Sequence, residues 1–270
     1  MNLENNINNV QNLIEGIEYD KKQDTFTFNF KSDNGTEMIK LVSNGPYQIT
    51  DYSPCTYFGY VFEDNIDVKT KKKFIDLIKY PNQYIQKSDF HRFINNSVAI
   101  LDKKISLPKY KVLAHPQSSS KLNNEIINEI YKRSLSTKFY DIELIKDIPS
   151  RMEFNYDAYI NFLKQKEGIN QNNIDDSVKA IKRMMDGIRK LDYVKIGMYI
   201  KAKYRPYIKN FFMFKRDEDE KFYKDIKNEN VLIVDDVSTT MSTLQYVVNT
   251  LRLINDENEL TLFCLLGNRK

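Results

Sequence analysis

Residues 231 to 244 read Val-Leu-Ile-Val-Asp-Asp-Val-Ser-Thr-Thr-Met-Ser-Thr-Leu, and they constrain the fold more than any other stretch. Four apolar, mostly β-branched residues, Val231 to Val234, predict a short buried strand. Asp235 and Asp236 stand at its C-terminal end, and a hydroxyl-rich loop runs from Ser238 to Thr243. Leu244, Val247, Val248 and Leu251 then follow the i, i+3, i+4, i+7 spacing of a helix. In an open α/β sheet, ligands bind outside the carboxyl ends of the strands. A helix N-terminus offers unpaired N–H groups and the positive end of a dipole, so it suits an anion. The stretch therefore sets two acids beside an anion cradle, which suits a ligand bearing both sugar hydroxyls and a phosphate.

A second strand, loop and helix precede it. Tyr110 to Ala114 predicts a buried strand, followed by His115-Pro116-Gln117-Ser118-Ser119-Ser120-Lys121 and a helix carrying Leu122, Ile126, Ile127 and Ile130. Ser119 or Ser120 can cap that helix, its free N–H groups can bind an anion, and Lys121 adds positive charge. Lys138 to Ile145 reads as another core strand and Glu259 to Leu266 as a last one. Residues 150–228 read as a long, mostly helical insertion. Its clearest helix runs from Asp175 to Leu191, capped by Asp175 and Asp176, with Val178, Ile181, Met184, Met185 and Ile188 inward. Within the insertion, Lys201 to Tyr207 is basic and aromatic, so Lys203 and Arg205 can either guide a diphosphate or form a solvated face. Asp217 to Lys221 reads as a charged linker.

Residues 1–108 form an N-terminal α+β portion, either a separate cap or an addition to the main sheet, and 109–270 form the main domain. Leu3, Ile7, Val10, Ile14 and Ile17 make an a/d stripe that predicts a short helix, packed on the chain's own body or used as a dimer seam. Thr25 to Phe30 alternates polar and apolar, Asp33-Asn34-Gly35 is a turn signal, and Met38 to Val42 can return, so a β-hairpin is expected. Residues 43–66 look irregular. Their aromatic cluster, Tyr57, Phe58, Tyr60 and Phe62, suits either core or a surface for stacking a base. Residues 67–80 and 87–102 read as helices.

The net charge of +4 is interspersed and too mild to point to nucleic acid. Cys55 and Cys264 are far apart, which fits a reducing cytoplasm better than a disulfide scaffold, and with only two histidines a zinc site is not expected. No apolar run approaches the ~20 residues of a membrane span, and the first residues lack the apolar core of a secretory signal. Two-fold assembly is the commonest oligomer, and a homodimer is expected on that ground alone.

The 231–244 stretch resembles the phosphoribosyl-diphosphate (PRPP) motif of type I phosphoribosyltransferases, in which an apolar strand leads into two acids, two spacers and Thr-Thr-Gly-x-Thr. Asp235, Asp236, Thr239, Thr240 and Thr243 match it. A Walker B strand is the other familiar apolar run ending in acids, but it needs a GxxxxGK[ST] loop that the chain lacks. The motif covers 14 residues, and Met241 stands where the family usually has glycine. If the backbone there takes positive φ, a side chain costs about 1–2 kcal/mol. Met241 then weakens phosphate binding without abolishing it, and it also fits a member that has kept the fold and lost catalysis.

The resemblance implies a Rossmann-like α/β fold with a parallel sheet, and a glycosyltransferase of nucleotide metabolism that moves 5-phosphoribosyl to a nucleobase and releases pyrophosphate. It implies that Asp235 and Asp236 are the catalytic pair, holding the ribose hydroxyls directly or through water on Mg2+. Thr239, Thr240, Met241, Ser242 and Thr243 would hold the 5-phosphate, and Ser118, Ser119, Ser120 and Lys121 the pyrophosphate. This last loop lacks the basic residue followed by glycine that many members carry. Hypoxanthine-guanine enzymes commonly have aspartate at the position of Thr239, so its absence argues against that subgroup. Orotate, adenine, uracil or an unfamiliar acceptor stay open, as does a regulatory protein that binds PRPP or a nucleotide without turning it over.

Overall fold

The computed structural model describes residues 10–14, 16–28, 39–41, 54–81, 85–118, 120–134, 138–166, 168–192, 199–238 and 242–268. In chain order the strands and helices are β1 (Val10–Ile14), β2 (Ile17–Asp20), β3 (Thr25–Phe28), β4 (Ile39–Leu41), β5 (Cys55–Phe62), α1 (Val68–Lys79), α2 (Lys87–Ile105), β6 (Val112–Pro116), α3 (Lys121–Arg133) and β7 (Tyr140–Lys146). They continue with β8 (Glu153–Phe154), α4 (Tyr156–Lys164), α5 (Gln171–Ile188), β9 (Ile208–Lys209), β10 (Phe212–Phe214), α6 (Asp217–Asp225), β11 (Asn230–Ser238), α7 (Ser242–Ile254) and β12 (Glu259–Asn268).

A seven-stranded sheet in the order β10-β7-β6-β11-β12-β5-β4 organises the molecule. Its five inner strands are parallel, and β10 and β4 close the edges antiparallel. This mixed α/β architecture is compatible with the Rossmann-like arrangement expected. Period-two alternation divides the apolar residues of β6, β11 and β12 between two cores. Val112, Ala114, Val231, Ile233, Leu260 and Leu262 face α4, α5 and α7. Leu113, Leu232, Val234, Phe263 and Leu265 face α1, α2 and α3. Both faces of the sheet are covered, so its strands read as continuous apolar runs.

Several local expectations give way to tertiary structure. The helix expected over residues 3–17 is, where described, a hairpin: Val10 pairs with Asp20 and Ile14 with Ile17. Gly16 takes φ of 76°, a left-handed turn that no helix continues through, and β-branched Val10, Ile14 and Ile17 favour strand. Among the described residues the expected pairing of 25–30 with 38–42 is not found either: β3 pairs with β2, and β4 with β5. Phe26 is drawn to Tyr19 (ring centroids 4.8 Å apart) and to Phe74 (5.3 Å), where it buries more surface than an isolated hairpin would offer. The Asp33-Asn34-Gly35 turn lies outside the described residues.

Within 43–66, expected to be irregular, β5 runs parallel to β12, and Phe58, Tyr60 and Phe62 are core. Helix α5 is capped by Asn170, which accepts the Asn173 N–H at 3.0 Å, and not by Asp175 and Asp176. The charged stretch 217–221 is the start of α6, with four acids in a first turn that the helix dipole favours.

Asp219 in α6 is fully buried and accepts from Arg216 Nε at 2.8 Å and the Tyr140 hydroxyl at 3.1 Å. The Tyr140 ring stacks on Phe222 at 3.7 Å, so the cluster fixes α6 to the β7 edge. Asp219→Ala leaves that hydroxyl without its acceptor, while Arg216, half exposed, returns to water. The expected loss is about 1–3 kcal/mol, read as a lower urea midpoint with an unchanged slope.

Candidate functional site

Strand order reverses between β6 and β11. From β6 the chain crosses through α3 to β7 on one side, and from β11 it crosses through α7 to β12 on the other. The two crossover helices therefore lie on opposite faces, and a crevice opens above the carboxyl ends of β6 and β11. Both sequence motifs end there: the acid pair on β11, and the loop 117–120 on β6.

Asp235 is 6% exposed and Asp236 2%. Strand alternation sends Asp236 to the face of Leu232 and Val234, and there it meets Lys79 from the last turn of α1. Lys79 Nζ lies 2.9 Å from Asp236 Oδ1. The start of α1 is set by Asp67, which accepts the Thr70 N–H at 2.9 Å and the Thr70 hydroxyl at 2.8 Å. Its rotation is set by buried Thr70, Phe74 and Ile78. Asp235 Oδ1 accepts the Asp236 N–H at 2.9 Å, and Asp236 Oδ1 accepts the Val237 N–H at 2.6 Å. Asp236 Oδ2 is buried with no hydrogen-bond partner among the described residues.

Burial, and then the charge of Asp236, push the Asp235 carboxyl from 3.8 up to about 7, against the pull of the Asp236 N–H, Lys79 and His115. Burial draws the Lys79 ammonium down, but Asp236 and Asp235 outweigh it and leave the group raised. The Cys264 thiol, paired across from Asp235 in the sheet, is pushed well up by burial and the same two acids, so it stays a neutral wall of the site.

On the β6 side, Gln117 N–H donates to Leu144 O at 2.7 Å. Ser118 Oγ accepts the Ser120 N–H at 3.1 Å, and Ser120 Oγ accepts the Leu122 N–H at 3.1 Å as the cap of α3. The Ser120 hydroxyl also donates to Lys79 O at 3.4 Å, so the end of α1 is tied to this loop. Ser120 is 2% exposed and spent on these bonds, whereas Lys121 is exposed. His115 Nε2 is 3.3 Å from Asp141 Oδ1, and Asn123, buried behind Pro116, has an Oδ1 without a partner among the described residues.

Thr239, Thr240, Met241 and Ser119 lie outside the described residues. Ser242 opens α7 and Thr243 follows it half-buried. Tyr246 O–H donates to Arg205 O at 2.7 Å, which sets the basic segment 201–207 against the start of α7. The Arg205 guanidinium turns back to Ile200 O at 3.0 Å, and Lys203 is exposed beside the Tyr204 ring.

Among the described residues no group of three or more His, Cys, Asp or Glu could hold a metal ion. Magnesium makes a smaller demand: one or two carboxylates, with phosphates and water completing the shell. Asp235 and Asp236, with an unpartnered Oδ2, fit that role and no larger one. Among the described residues no helix is long and apolar enough to cross a membrane.

Lys79, Asn123 and Asp141 are what sequence reasoning passed over. Lys79 is one of five lysines in α1, and nothing in the local pattern separates it from Lys69, Lys71, Lys72 and Lys73. Only the docking of α1 on the far face of the sheet reveals it.

The elevated Asp235 carboxyl has a consequence for stability. Between pH 3.8 and about 7 the folded protein holds a proton that the unfolded chain releases, so stability falls as pH rises through that window. Asp235→Asn keeps an acceptor for the Asp236 N–H and removes the buried charge. The variant is expected to match the wild type near pH 4 and to exceed it by about 2–4 kcal/mol at pH 8, read from urea denaturation at both pH values.

No known protein family matches the sequence, and no curated protein matches it. Among solved structures the chain is similar to a hypoxanthine phosphoribosyltransferase from Staphylococcus aureus, at 12% identity and a TM-score of 0.35. The similarity covers 66% of this chain and 64% of that one, a little under two thirds of its length.

Proposed function

We propose that this protein binds PRPP in the crevice above β6 and β11 and transfers its 5-phosphoribosyl group to a nucleobase or related acceptor, releasing pyrophosphate. The observation that carries the reading is the buried pair Asp235 and Asp236 at the carboxyl end of the central strand, where strand order reverses, with one carboxylate oxygen unpartnered among the described residues. Neighbouring ribose hydroxyls can donate to such a pair. Residues 239–241 precede Ser242 and Thr243 in sequence, and these two open α7, whose N-terminus suits the 5-phosphate. The loop 117–120 leads into α3 and suits the diphosphate.

Departure of pyrophosphate leaves an oxocarbenium-like ribosyl centre. Catalysis is then a matter of positioning and of stabilising charge. The acids fix the ribose ring, and the two helix starts fix its two phosphate ends. Asp235 and Asp236 are also the residues that would hold Mg2+, through water or through the ribose hydroxyls; when bound, the ion neutralises the leaving diphosphate. The segment bearing Lys203 and Arg205 supplies the side of the crevice where the acceptor would enter.

Met241 favours a second reading, a PRPP- or nucleotide-binding regulator without turnover. Pyrophosphate release separates the two. With PRPP, Mg2+ and a panel of purine, pyrimidine and orotate acceptors, the enzyme reading expects release with at least one of them that is lost in Asp236→Asn. Binding without release from any acceptor favours the regulator.

A further inference from the structure

We infer that Lys79 is a resident cation of the site, positioning Asp236 for the ribose and taking part of the place a divalent metal would fill in binding the diphosphate. The inference rests on the PRPP reading and extends it to a residue from the N-terminal portion of the chain.

The geometry is specific. Lys79 Nζ is 2.9 Å from Asp236 Oδ1, while the Lys79 carbonyl accepts the Ser120 hydroxyl at 3.4 Å. One residue thus joins the acid pair of β11 to the loop of β6, the two halves of the crevice. The Lys79 side chain is 26% exposed where Asp236 is 3%, so the ammonium stands at the mouth while the carboxylate lies behind it. An ammonium carries three donors. One engages Asp236 among the described residues, which leaves donors for an anion that reaches this end of the sheet.

A carboxylate this buried needs a counter-charge to remain ionised. Lys79 supplies it from within the fold, and it holds Oδ1 while the buried Oδ2 has no hydrogen-bond partner among the described residues. A divalent cation would otherwise do both tasks, neutralising the acids and contacting phosphate oxygens. With Lys79 in place, Asp236 keeps a positive partner at Oδ1 without metal. The diphosphate then meets a positive group held by the protein itself, beside any metal that Asp235 and Asp236 would hold.

The test measures affinity for PRPP and for inorganic pyrophosphate, each in excess EDTA and in excess Mg2+. It compares the wild type, Lys79→Met and Lys79→Arg, with a thermal melt of each. The wild type is expected to bind both ligands without metal. Lys79→Met should lose about ten- to hundredfold in EDTA, the range for one charge-assisted hydrogen bond. It should lose clearly less in Mg2+, where the ion supplies the missing charge, and Lys79→Arg should recover most of the EDTA affinity. A purely structural Lys79 would lower both affinities by one factor in step with the melting temperature, and that result overturns the inference. So does wild-type binding that needs Mg2+ absolutely. A wild type that binds PRPP under neither condition defeats the PRPP reading itself, and the inference with it.

Discussion

Replacing Asp235 and Asp236 together by asparagine is expected to weaken PRPP binding by at least a hundredfold while the protein stays folded. Each hydrogen bond to a charged group contributes about 1.5–3 kcal/mol, and two of them are lost at the ribose. About 1.4 kcal/mol is tenfold in affinity, so a hundredfold is the lower end. Stability moves in two directions and largely cancels. Asp235→Asn removes a buried charge held at unfavourable ionisation. Asp236→Asn leaves Lys79 without its partner, but that side chain is a quarter exposed and can turn to water. Asparagine retains an oxygen to accept the Asp236 and Val237 N–H groups, so the strand end keeps its local bonds. Circular dichroism and the melting temperature of the double variant check the fold, and titration with PRPP checks the site.

Gly59→Ala is expected to destabilise the fold most. Gly59 lies in β5, where α2 crosses the sheet. A Cβ there would collide with Ser97 Oγ and lie 2.9 Å from Leu265 O and from Ser97 Cβ. The neighbours are a buried helix and the backbone of β12, and neither can yield without disturbing the core that Phe93 and Tyr60 fill with rings 4.3 Å apart. Overpacking of this kind costs about 3 kcal/mol, which at 2–4 °C per kcal/mol for a chain of this size lowers the melting temperature by about 6–12 °C. Ser97 Oγ has no hydrogen-bond partner among the described residues, so adding Ser97→Ala sacrifices none of theirs and removes the worst contact. The double variant should recover part of the loss but not all of it, because the contacts with Leu265 O and Ser97 Cβ remain.

The two substitutions mark where sequence reading succeeds and where it stops. The strand, acids and helix around Asp235 are legible because each signal is local: an apolar run, a charge pair, then a 3.6-residue period. The strand before His115 and the closing strand at 259–266 are legible for the same reason. The role of β5 is not. Its parallel partner β12 lies some 200 positions away, and the intervening chain carries no mark of the pairing. The aromatic residues of 57–62 show that the segment is buried, but not against what.

Pairing also defeats the hairpin expected over 25–42. The strand at Thr25–Phe28 is there, yet it joins β2, because Tyr19, Phe74 and Phe93 offer its rings a core. In residues 10–17 a spacing of four and three, typical of a helix, coexists with β-branched residues and a glycine that turns the chain back. Lys79 completes the pattern: its position at the acid pair depends on which face of the sheet α1 covers, a fact no stretch of residues contains.

The central claim is that the crevice between β6 and β11 is a PRPP site. Calorimetric titration of the purified protein with PRPP and Mg2+ tests it most directly, run beside the Asp235→Asn/Asp236→Asn variant. Binding is expected in the micromolar range, near −8 kcal/mol, and is expected to disappear in the variant. No heat from the wild type at millimolar PRPP, or equal binding by both proteins, would contradict it.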